Sequence, residues 1–403
     1  MLRSPAVHIL VSIYLPSVLM GFAHGMTLPT LPQLALSFDV APELASQVVT
    51  AQLAGRTVAL FPAGWIVDHL GRRTALIVGP MVAIAGALGS VSVPWFGALL
   101  ACQVAIGVGD SLWSFGREIA AVDQIRPEVR GRVIGAFFGI SSAGAALGPV
   151  LGGLLTGWYG YQSVFLTYAA QVAVVWGLAF LVRESRPRRS RGVGTAETSV
   201  RVSPWSYVPA EYQGTFKVLL AATFCAMLRS TSVASLLPIY AVTYLGYSTA
   251  DVGYLFGITG FIQLLMIAPA GYVSDTIGRK AATVPAAALA AVAFVGFYLA
   301  RDLVSLAIVS GILGLSAGFA IGTMTSFTYD IIAEEGRGVL QALRRSVGEI
   351  GSFTGPIVGG LVASAYDPGV AFLAFAPLHL VSAALLLFVA RESLARRVRP
   401  SPA

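Results

Sequence analysis

Gly64-Trp65-Ile66-Val67-Asp68-His69-Leu70-Gly71-Arg72-Arg73 decides how this chain folds. The stretch is polar and glycine-punctuated, lies between two apolar runs, and returns 207 residues later as Gly271-Tyr272-Val273-Ser274-Asp275-Thr276-Ile277-Gly278-Arg279-Lys280. An apolar helix that stops at Asp-x-x-Gly-Arg-Arg and restarts at once is a tight hairpin between two membrane spans, and its basic residues place it on the cytoplasmic side. A second copy at a fixed distance makes two unrelated basic hairpins a poor explanation.

Composition agrees with this outward from the hairpin. With 403 residues, 56% of them hydrophobic, 11% charged, and a mean hydropathy of +0.78, the chain has too little polar surface to coat a soluble globule. It is expected to be a polytopic membrane protein. The net charge of +7 does not call for nucleic acid, because basic residues beside spans set topology. Cys102 and Cys225 fall inside apolar runs and are expected to be reduced core thiols, not a disulfide or a metal site.

A span needs about 20 largely apolar residues. Twelve segments qualify: 7–28, 45–67, 74–93, 95–122, 132–157, 161–182, 216–243, 250–273, 280–299, 303–331, 339–364 and 369–390. The first follows a single arginine and is expected to be a span, not a cleaved signal. Of the 26 basic residues, 20 fall on one side and only Arg301 on the other; Arg56, Arg117, Arg229, Arg344 and Arg345 lie within spans. Both termini and the central linker are therefore expected to be cytoplasmic, in a plasma (inner) membrane. The division is a six-helix bundle over 1–182, a linker over 183–215, a second bundle over 216–391 and a tail over 392–403. Trp205, Tyr207 and Tyr212 in the linker suit either the membrane interface or a disordered tether.

The halves repeat in detail at the same offset of 207. Pro62 matches Pro269, Asp123 matches Asp330, and Arg130-Gly131 matches Arg337-Gly338. Gly144, Gly148, Pro149, Gly152 and Gly153 match Gly351, Gly355, Pro356, Gly359 and Gly360. An ungapped repeat implies two homologous bundles about a pseudo-twofold axis along the membrane normal.

These hairpins and repeats resemble the loop signature of the major facilitator superfamily, over essentially the whole chain. The resemblance implies an all-α membrane protein of twelve transmembrane helices in two pseudosymmetric six-helix bundles, working by alternating access. It also implies a cytoplasmic gate. The loop Asp68 would meet the helix start near Gly338, and Asp275 the start near Gly131. Arg72 would pair with Asp68 and Asp123, and Arg279 with Asp275 and Asp330. The alternative for the hairpins is a solvated loop that only holds topology. His69 and Thr276 stand where a basic residue is common in the family.

The Gly144–Gly153 motif places small residues along one helix face, where backbones can approach closely, and Pro149 removes one helical hydrogen bond. In this superfamily it resembles a hallmark of drug:proton antiporters, which points to export. Its copy on the eleventh span suits plain helix packing equally.

Charges inside spans are the candidates for substrate or proton binding, because each is costly unless paired or hydrated. Arg56 lies 12 residues before Asp68, and Asp110 lies 13 before Asp123. At about 1.5 Å per residue both sit roughly 18–20 Å above the cytoplasmic loops, at one depth, so they can pair. That pair is either a structural salt bridge or a proton or substrate site. Arg117 and Glu118 point about 100° apart on their helix. The family lines its cavity with spans 1, 4, 7 and 10, which makes Arg117 or Glu118, and Arg229, candidates for substrate contact, against interhelical pairing. Glu349 is either neutralised by Arg345 one turn away or free to titrate. Asp110, Glu118 and Glu349 rank in that order as proton carriers.

Two departures matter. Gln103 stands before Gly107-Val108-Gly109 where the antiporter branch carries an arginine, and span 1 has no acid. His24 either titrates near neutral pH or is a hydrogen-bonded interfacial histidine, and the second is the expectation. Metal spacing, a phosphate loop and a nucleophile elbow are all missing from the sequence, so no cofactor and no enzymatic activity is expected. The expected function is a monomeric secondary transporter in the lipid bilayer that exports a small amphipathic molecule, with protons as coupling ion. The runner-up is an importer or uniporter of a small polar or anionic metabolite.

Overall fold

The structure is a computed structural model that describes residues 14–124, 130–182, 204–333 and 336–394, with the side chains of residues 61, 68, 119–124, 130–140 and 204 outside the description. The described residues form helices and short connecting turns, without strands. Contacts divide the chain into two compact units: residues 1–197 with 241–260, and residues 198–240 with 261–403.

In the first unit, helix α1 (Leu15–Met26) is followed by a short 3-10 turn and α2 (Leu31–Ser37). Then come α3 (Ser46–Val58), α4 (Leu60–Leu70), α5 (Arg72–Ser92), α6 (Phe96–Gln124), α7 (Arg130–Tyr159) and α8 (Tyr161–Ala179). The second unit holds α9 (Gln213–Ile239). Helix α10 (Thr249–Thr276) has its first half in the first unit and its second half in the other. The second unit continues with α11 (Arg279–Leu299), α12 (Leu303–Ala320), α13 (Thr323–Ile331), α14 (Arg337–Ala365) and α15 (Pro368–Phe388). Among the described residues, eight helical segments are long and apolar enough to cross a membrane.

The turn geometry follows from the repeated hairpin. Gly71 at φ 88° and Gly278 at φ 150° end one helix and open the next, a backbone that a side chain at Cβ would oppose. The offset of 207 carries through to helix starts: α5 and α11 begin at Arg72 and Arg279, α6 and α12 at Phe96 and Leu303, α8 and α15 at Tyr161 and Pro368. The dominant packing pairs repeat too. Helix α1 packs on α7 as α9 packs on α14, α5 on α6 as α11 on α12, and α5 on α8 as α11 on α15.

Three expected elements differ. The first span runs on through α2 to Ser37, because Pro29 and Pro32 sit at the starts of short helical segments, where a missing N–H costs nothing. The second span is interrupted at Ala59, three residues before Pro62, which cannot donate to the carbonyl one turn back. The tenth divides at Gly322, whose φ of 74° is incompatible with continued helix. The end of the linker packs against the second unit and is not a disordered tether. Val208 and Tyr212 are buried with Phe216, Phe327 and Leu340, and Ala333 N–H donates to the Tyr207 carbonyl at 3.0 Å.

Candidate functional site

Glycine contacts fix where the charged groups of the first unit meet. A Cβ on Gly55 would strike the Val104 carbonyl, and one on Gly107 the Gln52 carbonyl, so α3 and α6 run backbone to backbone at this depth. Gly109 faces the Gly79 carbonyl on α5 in the same way, which explains both glycines of Gly107-Val108-Gly109. Arg56 and Asp110 follow directly on these contacts. Arg56 donates from Nη2 at 2.6 Å and Nε at 3.0 Å to a single oxygen, Asp110 Oδ2. His24 of α1 brings Nδ1 to 3.4 Å from that same oxygen. The Asp110 side chain is 5% exposed, that of Arg56 43% and that of His24 29%. A buried carboxylate thus stands between two basic groups that reach solvent-accessible space. The expectation of an interfacial His24 is corrected, because the residue lies on α1 at the level of the pair.

Gln103 occupies the position of the missing arginine and is fully buried. It accepts from Gln52 Nε2 at 2.7 Å and donates to Ser90 Oγ at 3.0 Å, tying α3, α6 and α5 together through uncharged groups. Composition cannot reveal such a chain; the one signal was a polar residue in an apolar run. Further down α6, the Arg117 guanidinium lies 4.4 Å from the Trp113 ring centroid, a cation–π contact, while Glu118 is exposed. The two diverge as their spacing requires.

In the second unit the hairpin cluster is complete. Arg279, 3% exposed in its side chain, donates from Nε to Asp330 Oδ2 at 2.7 Å and from Nη1 to Asp275 Oδ1 at 2.6 Å and Ser274 Oγ at 2.7 Å. Arg72, its counterpart, is buried, while the side chains of Asp68 and Asp123 lie outside the description, as do the side chains at the helix start near Gly131. Sequence reasoning missed Glu392. Its carboxylate accepts the backbone N–H groups of Arg279 and Lys280, each at 2.9 Å, and those of Ser393 and Leu394 at 2.9 and 3.2 Å. Burial alone would push this carboxyl up; the N–H groups of Lys280, Arg279, Leu394 and Ser393 outweigh that and hold it below the usual glutamate range. Ser393 Oγ in turn donates to Asp330 at 3.2 Å.

The other candidates fall elsewhere. Arg229 turns into its own bundle, with Nη1 3.4 Å from Ser316 Oγ. Arg344 donates to Gln341 Oε1 and Thr325 Oγ1, each at 3.0 Å. Glu349 is half-buried, and among the described residues it forms no ion pair with Arg345 or any other base. The glycine motifs are contact faces. Gly144, Gly148 and Gly152 would clash through a Cβ with the carbonyls of Val18, Phe22 and Met26 on α1, and Gly351, Gly355 and Gly359 abut Phe224, Ser232 and Leu236 on α9. Pro149 and Pro356 lie within α7 and α14 without ending them.

Comparison with known proteins places this geometry. The chain is similar to Multidrug resistance protein MdtG of Dickeya zeae, 23% identical over 328 residues that cover 79% of this chain and 78% of the relative. It is similar to MFS antiporter QDR1 of Candida albicans, 29% identical over 170 residues, 41% of this chain and 33% of that one. Multidrug resistance protein Stp of Mycobacterium tuberculosis is 30% identical over 164 residues, 40% of this chain and 30% of that one. The chain thus spans about a third of the length of QDR1 and of Stp. Among solved structures, a D-xylose-proton symporter superposes with a TM-score of 0.77 at 15% identity, covering 97% of this chain and 99% of the other. The human organic anion transporter MFSD10 superposes with a TM-score of 0.64 at 19% identity, covering 95% and 100%. Both show the fold alone. A family profile described as Major Facilitator Superfamily matches residues 13–212 and 219–403, and the chain belongs to that superfamily.

Proposed function

We propose that this protein exports a small amphipathic molecule in exchange for protons, by alternating access. The observation that carries it is Asp110, a buried carboxylate whose single oxygen is shared by Arg56 and faced by His24. With the carboxylate charged, Arg56 is held against α6. Proton uptake by Asp110 removes the charge that holds it and so loosens the link between the half-exposed guanidinium and α6. A proton and a conformational preference are thereby linked at one atom. The names of MdtG and Stp, which specify multidrug resistance, and of QDR1, an antiporter, support export over import. Arg279 with Asp275 and Asp330 serves as one half of a cytoplasmic gate, and Arg72 with Asp68 and Asp123 as the other. Arg117, Glu118 and Glu349 remain substrate-binding or proton-coupling candidates.

The test uses proteoliposomes with an acidic lumen, cationic dyes or drugs outside, and simultaneous records of substrate uptake and luminal pH. Substrate-dependent proton release that Asp110→Asn abolishes at equal protein incorporation is expected. Flux indifferent to the gradient would sink proton exchange, and uptake of anions alone would favour the polar or anionic metabolite.

A further inference from the structure

The interior of the second unit contains polar groups that the proposed transport cycle does not use. A small cavity of about 20 Å³ opens between α9, α11, α12 and α15. Its walls are alanines of α9, α11 and α12 with Cys225 and Met324, and its polar lining is Arg229, Ser316, His379 and Ser382. No carboxylate lines it, and among the described residues none lies within ion-pair distance of Arg229. A guanidinium is thus turned into a low-dielectric bundle with one long contact, 3.4 Å, to a serine hydroxyl whose own proton goes to the Ala286 carbonyl at 2.6 Å.

Two further donors face the same space. His379 is 1% exposed and Ser382 3%; His379 Nε2 has no hydrogen-bond partner, and Ser382 Oγ has none beyond the neighbouring Cys225 thiol. Buried polar groups in membrane bundles are paired, hydrated or bound to something. Cys225 does not supply the partner for Arg229, since its thiol is directed at the Leu378 carbonyl at 3.6 Å. The groups available are a cation, an imidazole that donates in its Nε2–H tautomer, and a hydroxyl.

We infer that this cavity binds one halide ion, chloride in the cell, held by Arg229, His379 and Ser382. The size is compatible with a small ligand: about 20 Å³ is room enough for a water or a monatomic ion. The charge selects between those two, because only an anion neutralises Arg229 while accepting from all three donors. The ion is structural. It joins α9 to α15 across the bundle and is distinct from any transported substrate.

The test is thermal unfolding of the purified full-length protein in detergent, at constant ionic strength, with chloride or bromide replacing gluconate. Wild type is expected to show a saturable rise of about 2–4 °C with either halide. Ser382→Ala should need several-fold more halide for half the rise, and Arg229→Gln should not respond. Should Arg229→Gln fail to fold, wild-type crystals grown in bromide decide the matter through anomalous scattering. A peak in the cavity supports the site. Equal melting in chloride and gluconate, or a halide effect without a bromide peak between Arg229 and His379, overturns it.

Discussion

Glu392 lies beyond the last helix, yet it holds the start of α11, and its removal can be worked through in numbers. Its carboxylate accepts two N–H groups from the first turn of that helix and two from its own segment. Loss of a side-chain cap costs about 1 kcal/mol, and loss of a negative charge at a helix N-terminus a further ~0.3–1 kcal/mol. Glu392→Ala should therefore destabilise the second unit by about 2 kcal/mol, and Glu392→Gln, which keeps an acceptor but not the charge, by about half of that. For a unit of this size the alanine variant should melt roughly 4–8 °C lower. The pH dependence has a definite sign. Because the folded carboxyl is held below its unfolded value, its contribution is fully present above the unfolded value, about 4.3, and is lost as pH falls through the lower folded value. The gap between wild type and Glu392→Gln should be constant from about pH 6 to 8 and close below about pH 4. Calorimetry or intrinsic fluorescence of detergent-solubilised protein measures both. An alanine variant melting within about 1 °C of wild type at pH 7, or a glutamine gap undiminished at pH 3, would refute the capping role.

Two further outcomes follow from buried polar groups. Gln103→Leu strands Gln52 and should cost about 1 kcal/mol in reversible unfolding, with Gln52→Leu/Gln103→Leu less destabilised than the sum of the single changes; strict additivity would dissolve the pair. Tyr168→Phe removes a hydroxyl that is buried without a partner and should leave melting unchanged or slightly raised; a drop of several degrees would mean that the hydroxyl is bonded.

Much of the fold was legible because a span is an axial quantity. Apolar length locates it, and the hairpin glycines mark its ends, so the expected starts at 74 and 280 fall within two residues of Arg72 and Arg279. Depth is axial as well, which is why counting residues back from Asp68 and Asp123 brought Arg56 and Asp110 to one level, where the structure joins them at 2.6 Å. Rotation about the axis was not legible. Sequence leaves Arg229 between substrate contact and interhelical pairing, and the side chain reaches 3.4 Å from Ser316 Oγ on α12. Direction depends on which neighbour offers space, and alanines on α11 provide it here. Glu392 was hidden for a different reason. A lone acid in a basic tail carries no pattern, and only the return of the chain to α11 gives it a partner. The break at Gly322 escaped because an isolated glycine within an apolar run is usually tolerated in a helix.

The Gln52–Gln103–Ser90 chain also has an electrical consequence. A full charge carried across the membrane does work of about 2.3 kcal/mol per 100 mV. Amides and hydroxyls carry none, so the transmembrane voltage exerts no net force on this junction of α3, α5 and α6. The field acts instead on charged residues such as Arg56 and Asp110, whose opposite charges cancel while the carboxylate is ionised. In the proposed exchange, proton uptake by Asp110 would give the pair a net positive charge, on which the membrane potential would then work within a frame that is electrically silent around it.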